Sequence, residues 1–385
     1  MKNTLALVLA LTVISAPAFA SRARLESLGE GKNGSYYIDD SRNMFLNPAH
    51  LVHYKKKLFL ELGTDTVGAL DSVAGSRAQG GFTNTFGDFT YGLYLNQTSE
   101  RTLGAIAQAN AVVGNFGLNT FVQPDSTLEF FLAGESGLNW GISLFYAGND
   151  QKTAALEKTA SQLGVRLGVD VNNLQVFTTL GLLTKSTVLD GTPGGNTELK
   201  GKIGVDAGVT YKMNDATAFA KFVSIGSDLN SGGTTLVQGR LQQYGLGLGF
   251  KKEMTKSTNM YARIEGDYLK TSPSASGDNK TYAIPLVLAA EAQALSWLAV
   301  RGSIEERLLG QTWNATARNS LAGTTTVSAG LGLTFGDVQI DGLVATNGAS
   351  TAANTVPGFG TAPQTNTNFG FGDNMLTRLA MTYNF

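Results

Sequence analysis

What most constrains this chain is a side-chain alternation of period two that returns many times between residue 57 and the last residue. Phe89, Tyr91, Leu93 and Leu95 share one parity, as do Leu163, Val165, Leu167 and Val169, and Ile203, Val205, Ala207, Val209 and Tyr211. Tyr244, Leu246, Leu248 and Phe250 repeat the pattern, and so do Val327, Ala329, Leu331, Leu333 and Phe335. The positions between are glycines, hydroxyls and charges, such as Gly164, Arg166, Gly168 and Asp170. Alternation of this kind is the mark of a β-strand with two unlike faces. It suits a strand of a soluble sandwich, or a membrane strand with lipid on one side and a polar lumen on the other.

The links between strands separate these two readings. The pattern predicts strands at about 57–66, 78–86, 88–97, 127–135, 138–147, 161–171, 174–184, 201–212, 216–225, 240–252, 257–269, 280–292, 296–308, 324–335, 337–346 and 374–385. After each even-numbered strand the link is short, as at Gly87, Asn172–Asn173 and Gly336. After each odd-numbered strand it is longer, as over residues 98–126, 148–160, 226–239 and 347–373. A sandwich has no reason to alternate short and long links. A barrel in the outer membrane does, with tight periplasmic turns and long outer loops. The expected fold is therefore all-β, a transmembrane antiparallel up-and-down β-barrel of about sixteen strands (range about 14–16) over residues 57–385.

Composition agrees. The chain has 47 glycines, 8 prolines and only 15% charged residues, low for a soluble protein of this length. The N-terminus carries Lys2, an apolar run from Leu5 to Ile14, and Ala18–Phe19–Ala20, the form of a secretory signal peptide over residues 1–20. That run is too short to span a bilayer, and no longer one follows. There is no cysteine, which excludes disulfides and thiolate metal sites. Net charge is −1 without a long basic tract, so nucleic acid is not an expected partner. The only histidines, His50 and His53, precede the first strand and are expected in a solvated turn. They form no metal set with a carboxylate or cysteine, and no catalytic constellation is evident. The expectation is a non-enzyme with no cofactor and no metal.

The closing strand, with Leu379, Met381, Tyr383 and Phe385, resembles the C-terminal signature of bacterial outer-membrane proteins. The resemblance implies a location in the cell outer membrane, contact with its lipid, and recognition of these four residues by the barrel assembly machinery. In strand number and polar lumen the chain resembles the general porins. That likeness implies passive diffusion of ions and small hydrophilic solutes through a water-filled lumen, and a homotrimer. The pore-lining candidates are Arg166, Lys202, Lys251, Arg263, Glu265, Asp267, Arg301, Glu305, Asp341 and Arg378, since ionised groups avoid lipid. General porins narrow the pore with their third outer loop. Here the second link is longest and includes the apolar stretch Leu103–Val113, expected to fold inside or to contact a neighbouring subunit.

Residues 21–56 precede the barrel and are expected to form a periplasmic tether or a partial plug, ordered by Asp39, Asp40 and Arg42. Asn47, Pro48 and Ala49 resemble a motif near the N-terminus of the long-chain fatty-acid transporter family, whose N-terminal segment plugs its barrel. That resemblance implies hydrophobic substrates. A closed structural or adhesive barrel is the third reading. Apolar pockets in the lumen would favour the transporter, and a lumen filled by salt bridges would favour the closed barrel.

Overall fold

The structure, a computed structural model, describes residues 21–63, 78–97, 120–124, 126–154, 156–189, 196–273, 278–314, 317–321, 323, 325–346 and 375–385. Its strands are β1 (Lys57–Gly63), β2 (Gln79–Phe86), β3 (Phe89–Leu95), β4 (Ser126–Glu135), β5 (Asn139–Lys152), β6 (Glu157–Val171), β7 (Leu174–Leu189), β8 (Thr197–Gly201) and β9 (Gly204–Met213). The second half adds β10 (Ala216–Ser231), β11 (Thr234–Thr255), β12 (Thr258–Pro273), β13 (Asn279–Leu295), β14 (Leu298–Trp313), β15 (Arg318–Ser320), β16 (Thr325–Phe335), β17 (Val338–Thr346) and β18 (Met375–Asn384). β8 and β9 are two parts of one wall strand, because both pair with β7 and β10. β15 and β16 both pair with β14 in the same way. The result is a closed antiparallel barrel of 16 strands.

Closure is made by β1 against β18, in register from Lys57 opposite Asn384 to Gly63 opposite Arg378. It leaves no open edge, and a bilayer offers no water to satisfy one. The alternation then sorts the side chains. At the seam Leu60, Leu62 and Leu379 are exposed on the outside, while Phe59, Glu61 and Ala380 are buried inside. The outer surface is apolar over the whole wall, with Leu246 as much as 70% exposed. Aromatics bound this belt. Phe86, Phe89, Tyr211, Trp297, Phe335 and Phe385 lie toward the turn end, and Trp297 stacks on Phe335. Tyr146 and Tyr244 lie toward the other end, with Tyr268 and Tyr282 in register beside Tyr244. Such a belt belongs in lipid, with its rings at the two interfaces.

All sixteen predicted strands are present, and the turns after even-numbered wall strands are tight. Asn172 and Asn214 supply the left-handed residue in two of them. The outer links differ from expectation. Residues 226–239 were expected as a loop, but β10 runs to Ser231 and β11 starts at Thr234, joined by Gly232 and Gly233, both with positive φ. Likewise β5 and β6 extend to Lys152 and from Glu157, into the expected loop 148–160. The reason is physical. Above the bilayer both strand faces meet water, so apolar alternation stops while the hydrogen-bond ladder continues. The stretch Leu103–Val113 and residues 1–20, expected as a signal peptide, lie outside the described residues.

The belt makes a prediction that a soluble barrel would not. Leu246→Arg, at an exposed outward site between Tyr244 and Phe250, should destabilise the protein by about 2–4 kcal/mol in lipid vesicles. Reversible urea unfolding measures it, and a change under about 0.5 kcal/mol would contradict the lipid-facing assignment.

Candidate functional site

Residues 21–54 lie inside the barrel. Their partners sit on the inward faces of strands all round the wall, from Glu61 on β1 and Tyr94 on β3 to Glu291 on β13, Asp341 on β17 and Arg378 on β18. Only the lumen touches all of these. The segment carries little regular structure. Helix α1 (Arg22–Ser27) is capped by Ser21, whose hydroxyl accepts from the Arg24 amide and donates to Asp341, 2.9 Å away. A 3-10 turn over Ser41–Phe45 is capped by Asp40. A second, over Pro48–His53, is capped by Asn47 with Pro48 in its first turn. The Asn47–Pro48–Ala49 triplet is thus a turn-starting device, and the Asn47 amide also donates to the Val169 carbonyl of β6.

Charge ties the segment to several strands of the wall. The Arg24 guanidinium donates to both oxygens of Glu291 at 2.9 and 2.7 Å and to Asp40 at 3.0 Å. Arg301 bridges the same Glu291, at 2.5 Å, to Asp341, at 2.6 Å. Arg42 donates to Glu61 at 3.1 Å and to the Tyr94 hydroxyl at 3.0 Å. Glu26 joins Arg22 of its own helix to Arg378 of β18, and Glu30 pairs with Arg263 at 3.0 Å. Breaking one partner of a buried pair of this kind costs about 3–5 kcal/mol, because the other charge stays desolvated.

Apolar packing adds to these contacts along the segment, with Leu25, Leu28, Tyr37 and Ile38 against Tyr261 and Ala289. Phe45 meets Tyr94 and Phe131 edge-on, with ring centroids 4.9 and 5.6 Å apart, in a buried cluster with Met44, Leu51 and Val52. Tyr36 stacks on Phe219 of β10 at 4.8 Å. Lumen-side glycines make room for the backbone. A Cβ at Gly141 would overlap the Pro48–Ala49 peptide, one at Gly168 the Asn47 side chain, one at Gly249 Tyr37, and one at Gly330 Ser27.

The residues expected to line an open pore are mostly engaged with this segment or with each other. Arg166 pairs with Glu129 at 2.7 Å and donates to the Phe45 carbonyl at 2.9 Å. Lys251 reaches Asp39 of the segment at 3.3 Å. Glu265 lies between Lys221 and Arg263, and Asp267 pairs with the same Lys221 at 3.0 Å. Glu305 is half-buried, and Lys202 turns to Asp228 in the break between β8 and β9, without touching the segment. Of the tether and the partial plug expected for residues 21–56, the contacts match the plug: Asp40 caps the first 3-10 turn, and Arg42 reaches Glu61 and Tyr94 inside the wall. His50 is buried rather than solvated, close to Gln175, while His53 is exposed. Among the described residues no set of three or more His, Asp or Glu is placed to hold a metal.

Two further groups escaped the sequence reading. Phe121, at the end of the second outer link, packs inside the outer end of the barrel with Val188, Leu199, Leu229 and Val237. Its neighbours Val122 and Gln123 accept hydrogen bonds from Ser186 and Asn149. The second group is the lumen aromatics Phe145, Phe177 and Phe219, which lie across the paired glycines Gly164, Gly208 and Gly247 of the adjacent strands.

Burial sets the protonation of the segment. It pushes the Asp40 carboxyl up to about 7 against the pull of Arg24 and the Arg42 amide, raises Glu30 against Arg263, and lowers His50.

No protein-family model matches the chain, and no curated protein matches it. Solved structures similar to it include BauA, the ferric preacinetobactin receptor of Acinetobacter baumannii, at 10% identity and TM-score 0.41. That match covers 76% of this chain, which spans about half (54%) of the receptor's length. A porin refined at 1.8 Å resolution is 12% identical at TM-score 0.39, covering 86% of this chain and 99% of the porin. The Pseudomonas putida toluene transporter TodX is 13% identical at TM-score 0.38, covering 95% and 98%.

Two predictions test the docking. Gly168→Val should push out the second turn while the barrel stays folded, raising protease cleavage within residues 43–52 about ten-fold or more. Unchanged cleavage would contradict the contact. Asp40 has a docked pKa above its free value of 3.8. Its contribution to docking is therefore complete below about pH 4 and fades as pH rises through about 7. Asp40→Asn should flatten the pH dependence of that cleavage across this window, and an unaltered profile would show that Asp40 is not the titrating group.

Proposed function

We propose that this outer-membrane β-barrel is a passive, plugged channel for small, largely apolar solutes, with residues 21–54 as the plug. The observation that carries the reading is the burial of this segment in the lumen, tied to the wall by both ion pairs and aromatic packing. The charges that would line an open, water-filled pore are drawn into those pairs. The outer end of the lumen is apolar, with Phe121, Val188, Leu199, Leu229, Val237, Leu241 and Leu269 turned inward and buried. A weakly hydrated solute crosses such a collar more readily than an ion does. Passage then follows a shift of the segment, and the reading assigns no reaction to the chain.

A closed structural barrel is the second reading, favoured by the same density of buried ion pairs. Single-channel conductance in a planar bilayer separates the readings. The full chain should show no large, steady ohmic steps, and the folded barrel lacking residues 22–54 should show them. Large steps from the full chain would overturn the plug and restore an open general porin. Silence from a correctly folded deletion variant would establish the closed barrel. With the full chain, vesicles should take up a small apolar solute faster than a hydrophilic one of equal size. Equal rates would overturn the solute class.

A further inference from the structure

The outward face of β11–β13, above the aromatic row, carries three cations in adjoining positions. Lys270 on β12 stands directly opposite Lys280 on β13. Arg240 on β11 is opposite Ser272, one outward step above the Gln242–Lys270 pair. In antiparallel strands, directly opposed Cβ atoms are about 4.5–5.5 Å apart and diagonal ones about 7–8 Å. All three side chains therefore reach one anionic group. Their parity is that of Tyr244, Ile264 and Leu288, which are exposed on the lipid side. Tyr244, Tyr268 and Tyr282 form the row immediately below.

Like charges opposed across strands destabilise a sheet unless a counter-charge is present. Lys270 has one in Asp278, at 2.7 Å. Arg240 and Lys280 form no ion pair among the described residues. The opposed pair Lys185 and Lys200 shares one carboxylate in the same way, but without a third, unpaired cation beside it among the described residues. Lys185 and Lys200 both pair with Glu198, at 3.0 and 2.9 Å. Asp278 also feels the charge of Lys280, so three cations share one carboxylate and the patch on β11–β13 keeps a net positive charge. The tight turns of these strands lie at the opposite end, so in an outer-membrane barrel the patch faces the outer leaflet.

The geometry points to a site for the phosphate-bearing head group of an outer-leaflet glycolipid on β11–β13, held by Arg240, Lys270 and Lys280. A free phosphate would use only the cations. A lipid also uses what lies beneath: the tyrosine row at the interface, then the exposed Leu246, Ile264 and Leu288, along which acyl chains lie. Continuity of cations, interfacial rings and apolar wall on the same three strands selects the lipid.

Native mass spectrometry of the folded, detergent-solubilised full chain tests this, with bisphosphorylated lipid A, the same lipid stripped of both phosphates, and inorganic phosphate as probes. The bisphosphorylated lipid should bind about a hundred-fold more tightly than the stripped one, and combined Arg240→Ala, Lys270→Ala and Lys280→Ala should abolish that preference. Lys185→Ala with Lys200→Ala, at sites already paired with Glu198, should leave it intact. Equal binding of both lipids would overturn the site, as would full preference retained by the triple variant or an equal loss in the Lys185 and Lys200 control. Inorganic phosphate binding as tightly as the lipid would reduce it to an anion site. Circular dichroism and heat-modifiable gel migration establish that each variant is folded.

Discussion

The junction on which the lumen depends is the pairing of Arg24 with Glu291 and Asp40, extended through Arg301 to Asp341. A narrow, filled barrel interior has little water to solvate charge, so each ionised wall residue needs an opposite charge within reach. The wall alone does not supply the set. Glu291 and Asp341 on β13 and β17 face Arg301 between them, and the remaining balance comes from the segment: Arg24 for Glu291, Arg42 for Glu61, Glu26 for Arg378 and Glu30 for Arg263. Removing the segment would leave buried charge of both signs exposed to entering water. That condition suits an open channel and not the closed state.

The barrel makes this arrangement possible by keeping two solvents apart. Outside, lipid demands apolar side chains at alternate positions and a closed hydrogen-bond circuit, which β1 and β18 complete. Inside, the other parity is free to carry charge, rings or nothing. The chain uses all three. Charges are densest on β12–β14, β17, β18 and β1, with a further buried pair, Glu129 and Arg166, on β4 and β6; rings lie mainly on β3–β5, β7 and β10, and glycines lie where the segment's backbone or a neighbouring ring meets the wall. The segment matches both charges and rings, with ion pairs from Arg24, Glu26, Glu30 and Arg42 and apolar contacts from Leu25, Tyr37, Phe45 and Leu51.

This division also explains what was legible in the sequence. Lipid imposes its demand on every strand, so the sixteen wall strands and the side-chain parity at positions such as Leu246 and Glu61 could be read directly. Where the wall rises out of lipid the demand lapses, and the hairpin through Gly232 and Gly233 looked like a loop. Arg263, Arg301, Asp341 and Arg378 share the parity of the inner face, but their partners could not be read from it. Ser21 meets Asp341 and Arg24 meets Glu291 across most of the chain, and no local period links them. Two signals did point inward. Residues 22–42 carry charges of both signs at high density for a tether, and glycines recur on the lumen parity at positions 141, 168, 249 and 330.

Docking of the N-terminal segment is the central claim, and amide hydrogen exchange read by mass spectrometry tests it most directly. Helix α1 and the two 3-10 turns are too short to protect their amides alone. Protection over residues 21–54 can therefore come only from the barrel. In the folded, lipid-embedded protein these amides should exchange far more slowly than in the free peptide, approaching the rates of the strands that hold them. Exchange at free-peptide rates would contradict the account, leaving an unoccupied lumen and unpaired charges on its wall.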